Sequence, residues 1–326
     1  MNVLLTGGAG YIGSHVVLSL IDAGHDVHII DNLSTGTELL IPKDTPFTKC
    51  DIDDQKTITS LIQNNKFDLL MHFAGYIQVE ESVKKPNKYF ENNTNKAVKL
   101  FETCKENGLV NIVFSSTAAV YGFSKENDMI PENQTLNPNN PYAESKLKTE
   151  RYLRDNSSIF NFIILRYFNV AGADPQLRSG QISKQSTHLI KILSEIVVGK
   201  RNKLEIFGDD YDTPDGTAIR DYIHVSDLAD IHVEIGKYLL KTLNSNTFNC
   251  GYGKGFSVLE VLETAKQLGE KINFIFANRR DGDVEKLVSD ISKLKKTINW
   301  TPNLDSLEKI ISSSIEWEKK LSEKNL

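Results

Sequence analysis

The sequence contains little cysteine, methionine or tryptophan. Its 326 residues include three cysteines, three methionines and two tryptophans. Cys50, Cys104 and Cys250 are too far apart in the chain for a metal knuckle or a disulfide framework, and their odd number is typical of a reducing compartment. We therefore expect small buried cysteines and no metal site.

Long apolar runs and an excess of basic residues are also absent. No segment reaches the ~18 apolar residues of a membrane span, and MNVLLTGGAGYIG lacks the basic leader and the apolar length of a signal peptide. A formal net charge of -5 gives no general attraction for nucleic acid or anionic lipid. We expect a cytoplasmic protein whose partners are small molecules, with neither nucleic acid nor membrane among them.

Short β-rich runs alternate with amphipathic stretches through the first half of the chain. The runs NVLLT, DVHIID, DLLMHFA, NIVFSS and FIILRYF are each separated by helix-like sequence. This repetition predicts an α/β fold with a doubly wound parallel sheet of the Rossmann type. After about Gly172 the pattern becomes loop-rich. We expect a nucleotide-binding domain over residues 1–170 and a smaller C-terminal α/β substrate lobe over 171–326, from which some segments can return to the first domain.

Glycines are concentrated where the first predicted strand meets the first predicted helix. TGGAGYIG places Gly7, Gly10 and Gly13 three residues apart, directly before an amphipathic stretch. Glycine lets such a turn wind tightly and approach a pyrophosphate, whose charge the amides at the helix N-terminus stabilise. The strand–turn–helix context favours a dinucleotide site over a turn that is merely tight.

Further polar and small residues follow the next predicted strands. Asp31 ends the second strand, where a carboxylate can accept hydrogen bonds from an adenosine ribose and would repel the 2′-phosphate of NADP. Aspartate at a strand end is also a common turn former. Asp51 and Ile52, and then the segment from Phe73 to Gly75, end later strands at the same edge. We therefore expect NAD to bind along this edge.

The stretch YAESK places Tyr142 and Lys146 on one face of a predicted helix. The preceding strand ends in FSSTAAVYG and brings Ser115, Ser116 and Thr117 to the same edge. A phenol titrates at about 10, and an ammonium about 4 Å away supplies roughly the energy that makes it a base at neutral pH. Such a pair alone is usually an ordinary surface feature, but its coincidence with the glycine turn predicts an acid–base site.

Longer motifs resemble a known family over nearly the full chain. TGGAGYIGSH, FSSTAAVYG, PYAESK, LRYFNVAGA and above all DYDTPDGTAIRDYIHV resemble the extended short-chain dehydrogenases/reductases, and among them the UDP-glucose 4-epimerases. The resemblance implies interconversion of UDP-glucose and UDP-galactose through oxidation at C4 by NAD, rotation of the 4-keto sugar and hydride return to its other face. It also implies a homodimer pairing the helices around Asn92–Glu106 and Tyr142–Arg154, which could equally pack within one chain.

The resemblance also implies roles for individual residues. Tyr142 would take the proton of the sugar 4-hydroxyl, Lys146 would lower the pKa of Tyr142 and bind the nicotinamide ribose, and Thr117 would bridge hydroxyl and phenolate. The implied NAD contacts are Gly7, Gly10, Tyr11, Ile12, Gly13, Asp31, Asn32, Asp51, Ile52, Phe73, Ala74, Gly75, Asn92, Ser115, Tyr142, Lys146 and Tyr167. The implied nucleotide-sugar contacts are Thr117, Tyr142, Asn169, His188, Leu189, Glu205, Ile206, Phe207, Arg220, Arg280, Asp283 and Leu287.

Two positions depart from the family pattern. A lysine that contacts the cofactor in some members corresponds to Ile77, and its loss would weaken NAD binding without abolishing it. The position that limits the room around the sugar 2-substituent corresponds to Leu287, which is intermediate in size. Epimerisation of UDP-N-acetylhexosamines therefore stays an alternative.

Other activities are possible on the same fold. A dehydratase would need acidic residues directly after Thr117, where this chain has Ala118 and Ala119. Epimerisation of UDP-glucuronate needs a site for its carboxylate, and the DGTAIRDYIHV match favours neutral hexoses over it. A catalytically silent NAD-binding scaffold would be expected to lose Tyr142, Lys146 or Thr117, and all three are present.

Overall fold

The computed structural model describes residues 1–122, 129–182, 186–280 and 283–324. Its strands are β1 (Asn2–Thr6), β2 (Asp26–Asp31), β3 (Phe47–Lys49), β4 (Leu69–His72), β5 (Asn111–Thr117), β6 (Asn161–Tyr167), β7 (Asn169–Ala171), β8 (Leu204–Phe207), β9 (Ile219–His224), β10 (Asn246–Cys250), β11 (Gly255–Ser257), β12 (Phe274–Ala277) and β13 (Lys286–Leu287). Its α-helices are α1 (Tyr11–Asp22), α2 (Gln55–Asn64), α3 (Val79–Lys84), α4 (Pro86–Phe90), α5 (Ala97–Glu106), α6 (Pro141–Asp155), α7 (Leu189–Val197), α8 (Val225–Thr242), α9 (Val258–Gln267), α10 (Ser292–Thr297) and α11 (Leu307–Glu323). A π-helical segment, Glu91–Lys96, joins α4 to α5, and short 3-10 helices span Glu38–Leu40 and Ala118–Tyr121.

Seven strands form one parallel sheet in the order β10-β6-β5-β4-β1-β2-β3. The chain winds outward from β1 in one direction and from β4 in the other, so the strand order reverses between these two strands. Open α/β sheets bind ligands outside the carboxyl ends of the strands at such a reversal. The predicted doubly wound α/β fold is confirmed.

The central strands have a continuous apolar middle, in accord with a sheet that is covered on both faces. Val3, Leu4 and Leu5 in β1 are fully buried, as are Leu69 and Leu70 in β4. Parallel strands that are buried on both sides have this continuous apolar pattern. Each such side chain contributes about 1.5–3 kcal/mol by leaving water.

The later part of the chain builds two small sheets and also completes the large one. Strands β7, β9, β11 and β13 form a four-stranded sheet, and β8 pairs with β12. β10 returns to the main sheet beside β6, and α8 packs against α1. Sheet membership therefore does not follow chain order, and the division into lobes at residues 170 and 171 stays a prediction.

The three cysteines are free thiols, with Cys104 and Cys250 buried as predicted and Cys50 half-buried. Among the described residues, no cluster of three or more His, Cys, Asp or Glu side chains could hold a metal ion. Within the same ranges, no helix combines the length and the apolarity that a membrane crossing needs.

Asp221 fastens the small four-stranded sheet to the loop after β10. Its Oδ1 accepts from the Tyr252 amide at 2.9 Å, and its Oδ2 accepts from the amides of Gly253 at 3.0 Å and Ser289 at 3.1 Å. The Ser289 hydroxyl also donates to it. A fully buried carboxylate is tolerated here because four donors replace its hydration.

We expect Asp221→Asn to lower the free energy of unfolding by about 3 kcal/mol, because an amide NH₂ would face N–H donors that then lose their acceptor. Asp305→Asn is the control, since this exposed carboxylate pairs only with Lys254 at the surface and its loss costs about 1 kcal/mol or less. Denaturant unfolding of both variants measures the difference. Equal midpoints would show that Asp221 does not hold these segments together.

Candidate active site

The glycine turn lies between β1 and α1 and is wound as tightly as the sequence predicts. Gly7 has a φ of +77°, and a Cβ on it would lie 2.6 Å from the Ala74 nitrogen. A Cβ on Gly13 would lie 2.2 Å from the Gly7 carbonyl oxygen. Around Gly10, by contrast, a Cβ would meet only the Gly7 oxygen at 3.2 Å. The turn is closed at Gly7 and Gly13, and at Gly10 the contact is tight but less severe.

Helix α1 begins directly after this turn without a side-chain cap at Gly10. The amides of Tyr11, Ile12 and Gly13 belong to its first turn, where amides have no partner within the helix. The Tyr11 hydroxyl donates to the Gly172 carbonyl at 2.6 Å, so this side chain links α1 to the segment after β7. The Tyr11 hydroxyl proton is therefore already used, while its backbone amide lies in the first turn of α1.

Asp31 ends β2 beside the turn and is largely buried. Its Oδ2 accepts from the Ala9 amide at 3.0 Å and its Oδ1 from the Leu33 amide at 2.8 Å. Burial raises the pKa of Asp31, and these two hydrogen bonds oppose the rise. Each oxygen keeps a further lone pair for a ribose hydroxyl.

A second acid, Asp51, lies next to the end of β2. It accepts from the Asn32 side-chain amide at 2.9 Å and pairs with Lys96 at 3.0 Å. Burial works against ionisation, but the hydrogen bonds from Lys96 and Asn32 lower the pKa of Asp51. Ile52, directly after it, is buried in the core. The structure thus brings Asn32 and Asp51 together, as the sequence predicts.

The segment after β4 meets the helix that carries Tyr142. Phe73, Ala74 and Gly75 follow the strand end, and a Cβ on Gly75 would lie 3.3 Å from the Lys146 Nζ and 3.3 Å from the Asn93 Oδ1. The Gly75 backbone therefore lies close to the Lys146 ammonium.

Asn92 and Ile77 are two further positions that the family pattern associates with the cofactor. The Asn92 side-chain amide donates to Asn93 at 3.1 Å, so part of its hydrogen-bonding capacity is already used. Ile77 is 53% exposed, and its side chain brings no charge to this edge.

Tyr142, Lys146 and Thr117 converge where β5 ends against α6. Asn140 caps α6 by accepting from the Ala143 amide at 2.9 Å, and Pro141 starts the helix, which fixes Tyr142 in its first turn. The buried Lys146 ammonium donates to the Ser115 carbonyl at 2.8 Å. Burial lowers the pKa of Lys146 to about 8, against an opposing effect of Glu150.

The pKa of Tyr142 differs from the expectation drawn from the sequence. Burial raises it, and the hydrogen bond with the Thr117 hydroxyl offsets only part of that rise. The Lys146 ammonium donates to the Ser115 carbonyl, and its role as the group that lowers this pKa stays a prediction. Burial and the Thr117 hydrogen bond together favour the neutral phenol.

Tyr167, an expected cofactor contact, is buried at the end of β6. Its hydroxyl lies 2.6 Å from His232 Nε2. A hydrogen bond with Ser115 links it to the end of β5, although burial holds the pKa of this phenol well above its usual value. Its side chain supports the strand ends from the α8 side.

The residues expected to bind the nucleotide sugar surround β8 and β9. Arg220 in β9 forms an ion pair with Asp283. The Arg280 guanidinium stacks 3.7 Å from the centre of the Phe207 ring in β8. Two guanidinium groups and a flat aromatic ring are suited to a diphosphate and a nucleobase.

The remaining expected contacts are spread over four elements, β7, β13, α7 and β8. Asn169 lies opposite Tyr222 in the pairing of β7 with β9, and Leu287 lies opposite Arg220 in the pairing of β13 with β9. Leu287 also packs against the apolar cluster that includes Ala118 and Phe168.

Two pairs of neighbouring expected contacts lie at the start of α7 and in β8, and in each pair one side chain faces the core. His188 is exposed at the start of α7, while Leu189 packs on the core. In β8 Glu205 is exposed, and the Ile206 side chain is buried in the core, which leaves its backbone for a ligand.

The sequence analysis missed Tyr211, which precedes β9 in the DYDTPDG run. Its ring centre lies 4.1 Å from the Arg279 guanidinium, and the charges of Asp283 and Arg220 act on its hydroxyl. Its hydroxyl is buried and has no hydrogen-bond partner among the described residues. The only sequence signal was the unusual length of the motif that contains it.

Comparison with known proteins agrees with this geometry. The model of the NAD dependent epimerase/dehydratase family matches residues 3–251. The chain belongs to this family. A UDP-glucose 4-epimerase of Azospirillum brasilense is 47% identical, over 98% of this chain and 93% of that protein. This confirms the resemblance that the sequence motifs indicate.

Two solved structures of epimerases superpose closely on this member of the epimerase/dehydratase family. A UDP-glucose 4-epimerase from Stenotrophomonas maltophila, with bound NAD and formylated UDP-arabinopyranose, has a TM-score of 0.96 and 33% identity, covering 99% of both chains. The UDP-Glc/GlcNAc 4-epimerase from Campylobacter jejuni has a TM-score of 0.85 and 44% identity, covering 98% of this chain and 99% of that one.

The residues of this epimerase/dehydratase chain fit the family's cofactor, NAD. The glycine turn and the first-turn amides of α1 form a cradle for a pyrophosphate, and Asp31 retains acceptor capacity for a ribose.

We expect Gly7→Ala to weaken NAD binding about tenfold or more, because a side chain at positive φ costs about 1–2 kcal/mol and its Cβ would push the Ala74 backbone away. Gly24→Ala is the control, since Gly24 has a similar φ of +75° but open space around its Cβ position. NAD retained after purification, together with calorimetric titration, measures the effect. Equal NAD affinity in the two variants would contradict the role of the turn.

Proposed function

We propose that this protein interconverts UDP-glucose and UDP-galactose by NAD-dependent epimerisation at C4. The observation that carries the proposal is the convergence of Tyr142, Thr117 and Lys146 beside a glycine turn that fits a pyrophosphate. Ala118 follows Thr117 directly and offers neither a proton donor nor an acceptor, which disfavours elimination of water. The epimerase relatives support the same reaction class.

Tyr142 is the group that takes the proton of the sugar 4-hydroxyl and later returns it. Thr117 hydrogen-bonds with the phenol, so it holds the oxygen in line with the substrate and stabilises the phenolate when it forms. Bound NAD supplies a reversible acceptor for the C4 hydride and a positive charge that favours the phenolate. Because the protein alone raises the pKa of Tyr142, the base becomes effective only in the loaded site.

Lys146 contributes hydrogen-bond donors and a positive charge to the site. Its ammonium has three donors and uses one on the Ser115 carbonyl, which leaves two for the ribose of the cofactor. With a pKa of about 8, it is largely protonated at neutral pH and can stabilise negative charge that develops nearby.

Arg220, Arg280 and Asp283 bind the uridine diphosphate in this proposal. Arg220 exchanges part of its pairing with Asp283 for a phosphate, and the stacking of Arg280 on Phe207 forms a wall for the base. All these residues follow position 171, in accord with a C-terminal substrate lobe over residues 171–326 and a nucleotide-binding domain over 1–170.

UDP-N-acetylhexosamines are a second substrate class. The Campylobacter jejuni relative is named for activity on both sugar types and is 44% identical to this chain. Leu287 packs beside Ala118 and Phe168, and it is smaller than the tyrosine of some family members, which supports acceptance of an acetamido group. UDP-N-acetylgalactosamine belongs in the same assay as UDP-galactose.

We expect the purified protein to convert UDP-galactose to UDP-glucose without added NAD, and Tyr142→Phe to reduce the rate about 100-fold or more because the general base is removed. Tyr152→Phe is the matched control, since Tyr152 lies on the same helix and donates to Glu102 instead. Product is quantified by chromatography of the nucleotide sugars. Full activity of Tyr142→Phe, or no conversion by NAD-loaded wild type, would refute the proposal.

We also propose a homodimer through α5 and α6. The resemblance supports it, although the apolar residues Leu100, Phe101 and Leu153 of these helices pack inside the chain. The faces left outward are polar and include Lys99 and Arg151. We expect sedimentation at micromolar concentration to give a dimer. A monomer alone under these conditions would exclude this part of the proposal.

A further inference from the structure

Glu150 is a fully buried carboxylate in the middle of α6. Its Oε1 accepts from the Ser116 hydroxyl at 2.6 Å and from the Arg166 Nε at 3.0 Å, and its Oε2 accepts from the Arg166 Nη2 at 2.6 Å. Arg154 lies 3.6 Å from the same Oε2. One side chain therefore joins α6 to β5 through Ser116 and to β6 through Arg166.

These contacts lie directly behind the acid–base residues. Glu150 follows Lys146 by one helical turn, so both project from the same side of α6. Ser116 stands between Ser115, whose carbonyl holds Lys146, and Thr117, which bonds Tyr142. The Glu150 carboxylate thus joins α6, which carries Tyr142 and Lys146, to β5, which carries Thr117. Its hydrogen-bond partners Ser116 and Arg166 are not expected ligand contacts.

The surroundings of Lys146 contain few charges besides Glu150. Among the described residues, the titratable groups whose charge couples to Lys146 are His72 from β4 and Glu150 from α6, and Tyr142 lies one turn earlier on the same face of α6. His72 is buried and its pKa is lowered to about 3, so it stays neutral. Glu150 is therefore the negative charge that opposes the loss of the Lys146 proton.

Besides Lys146, the charged and titratable groups that face Glu150 among the described residues are Arg166, Arg154 and Tyr121, with Glu132 beyond Tyr121. Arg166 also donates to the Tyr121 hydroxyl at 3.0 Å and to the Glu132 carbonyl at 3.1 Å. Arg166 and Ser116 are partners that a buried carboxylate needs for stability alone. The position of Glu150 one helical turn from Lys146, and of Ser116 between Ser115 and Thr117, is what points beyond a structural role.

We propose that Glu150 is a positioning residue for the epimerisation: it keeps Lys146 protonated and, through Ser116, holds the end of β5 so that Thr117 and Tyr142 stay in register. The inference rests on the proposed function. Glu150 acts through Lys146 and Ser116 and does not itself contact the reacting atoms.

Glu150→Gln tests the charge, and the sign of the effect follows from Lys146. Removing the carboxylate charge favours the neutral amine, so the pKa of Lys146 falls. If protonated Lys146 is the active form, the alkaline limb of the kcat/KM profile moves to lower pH by about 1 unit or more. Glu144→Gln removes an equivalent charge at the surface of the same helix and leaves that limb in place.

Glu150→Gln also leaves Arg166 buried without its counter-charge, which can prevent folding. The double variant Glu150→Gln/Arg166→Gln removes both charges and is expected to show the same shift of the alkaline limb. Ser116→Ala keeps the Glu150 charge, so it lowers kcat without moving the limb.

A carbon-13 NMR titration of the Lys146 Cε resonance, assigned with Lys146→Arg, provides a readout independent of turnover. The expected result is a lower Lys146 pKa in both Glu150 variants and an unchanged one in Glu144→Gln. An unmoved Lys146 resonance in the Glu150 variants, or a fall in the kcat of Glu150→Gln with an unmoved alkaline limb, would overturn the positioning role. Inactive wild type with NAD bound would instead refute the proposed function.

Discussion

The ion pair between Glu150 and Arg166 is the interaction on which the rest of the structure most depends. Both side chains are buried, at 0% and 1% exposure. Burying two charges is stable only when geometry and further hydrogen bonds replace their hydration, and removing one partner costs about 3–5 kcal/mol. Here Ser116, Tyr121 and, through Tyr121, Asn249 complete the network. Strands β5, β6 and β10 and helix α6 are thereby held in one arrangement at the edge where the site forms.

The electrostatics of the site follow from this arrangement. Burial disfavours charge on both Tyr142 and Lys146, so the protein alone favours a neutral phenol and lowers the pKa of the Lys146 ammonium to about 8. At the nucleotide end the balance is opposite, because Lys96 and Asn32 keep Asp51 ionised. The site thus combines a firmly charged anchor for a cofactor with a base that responds to what is bound.

Sequence reasoning succeeded where the signal is local. The glycine turn, Asp31 and the Tyr142–Lys146 spacing each depend on a few neighbouring residues, and the structure places them as expected. It failed where an interaction joins residues far apart in the sequence or where a strand is very short. Strands β7, β11 and β13 have two or three residues each, too few to show a period. The Tyr11 hydroxyl bonds Gly172, 161 positions away, and the direction of the Tyr142 pKa depends on burial, which no motif encodes.

The return of β10 to the main sheet has a consequence for biosynthesis. Residues 246–250 pair with residues 163–167 of β6, so β6 is an edge strand until that later segment has been made. Translation of the intervening segment takes several seconds at about 5–20 residues per second. During that time the nascent chain presents an open row of backbone donors and acceptors, a template for pairing with other chains. The main sheet is therefore completed only late in synthesis, and a fragment ending after β6 would keep this aggregation-prone edge permanently.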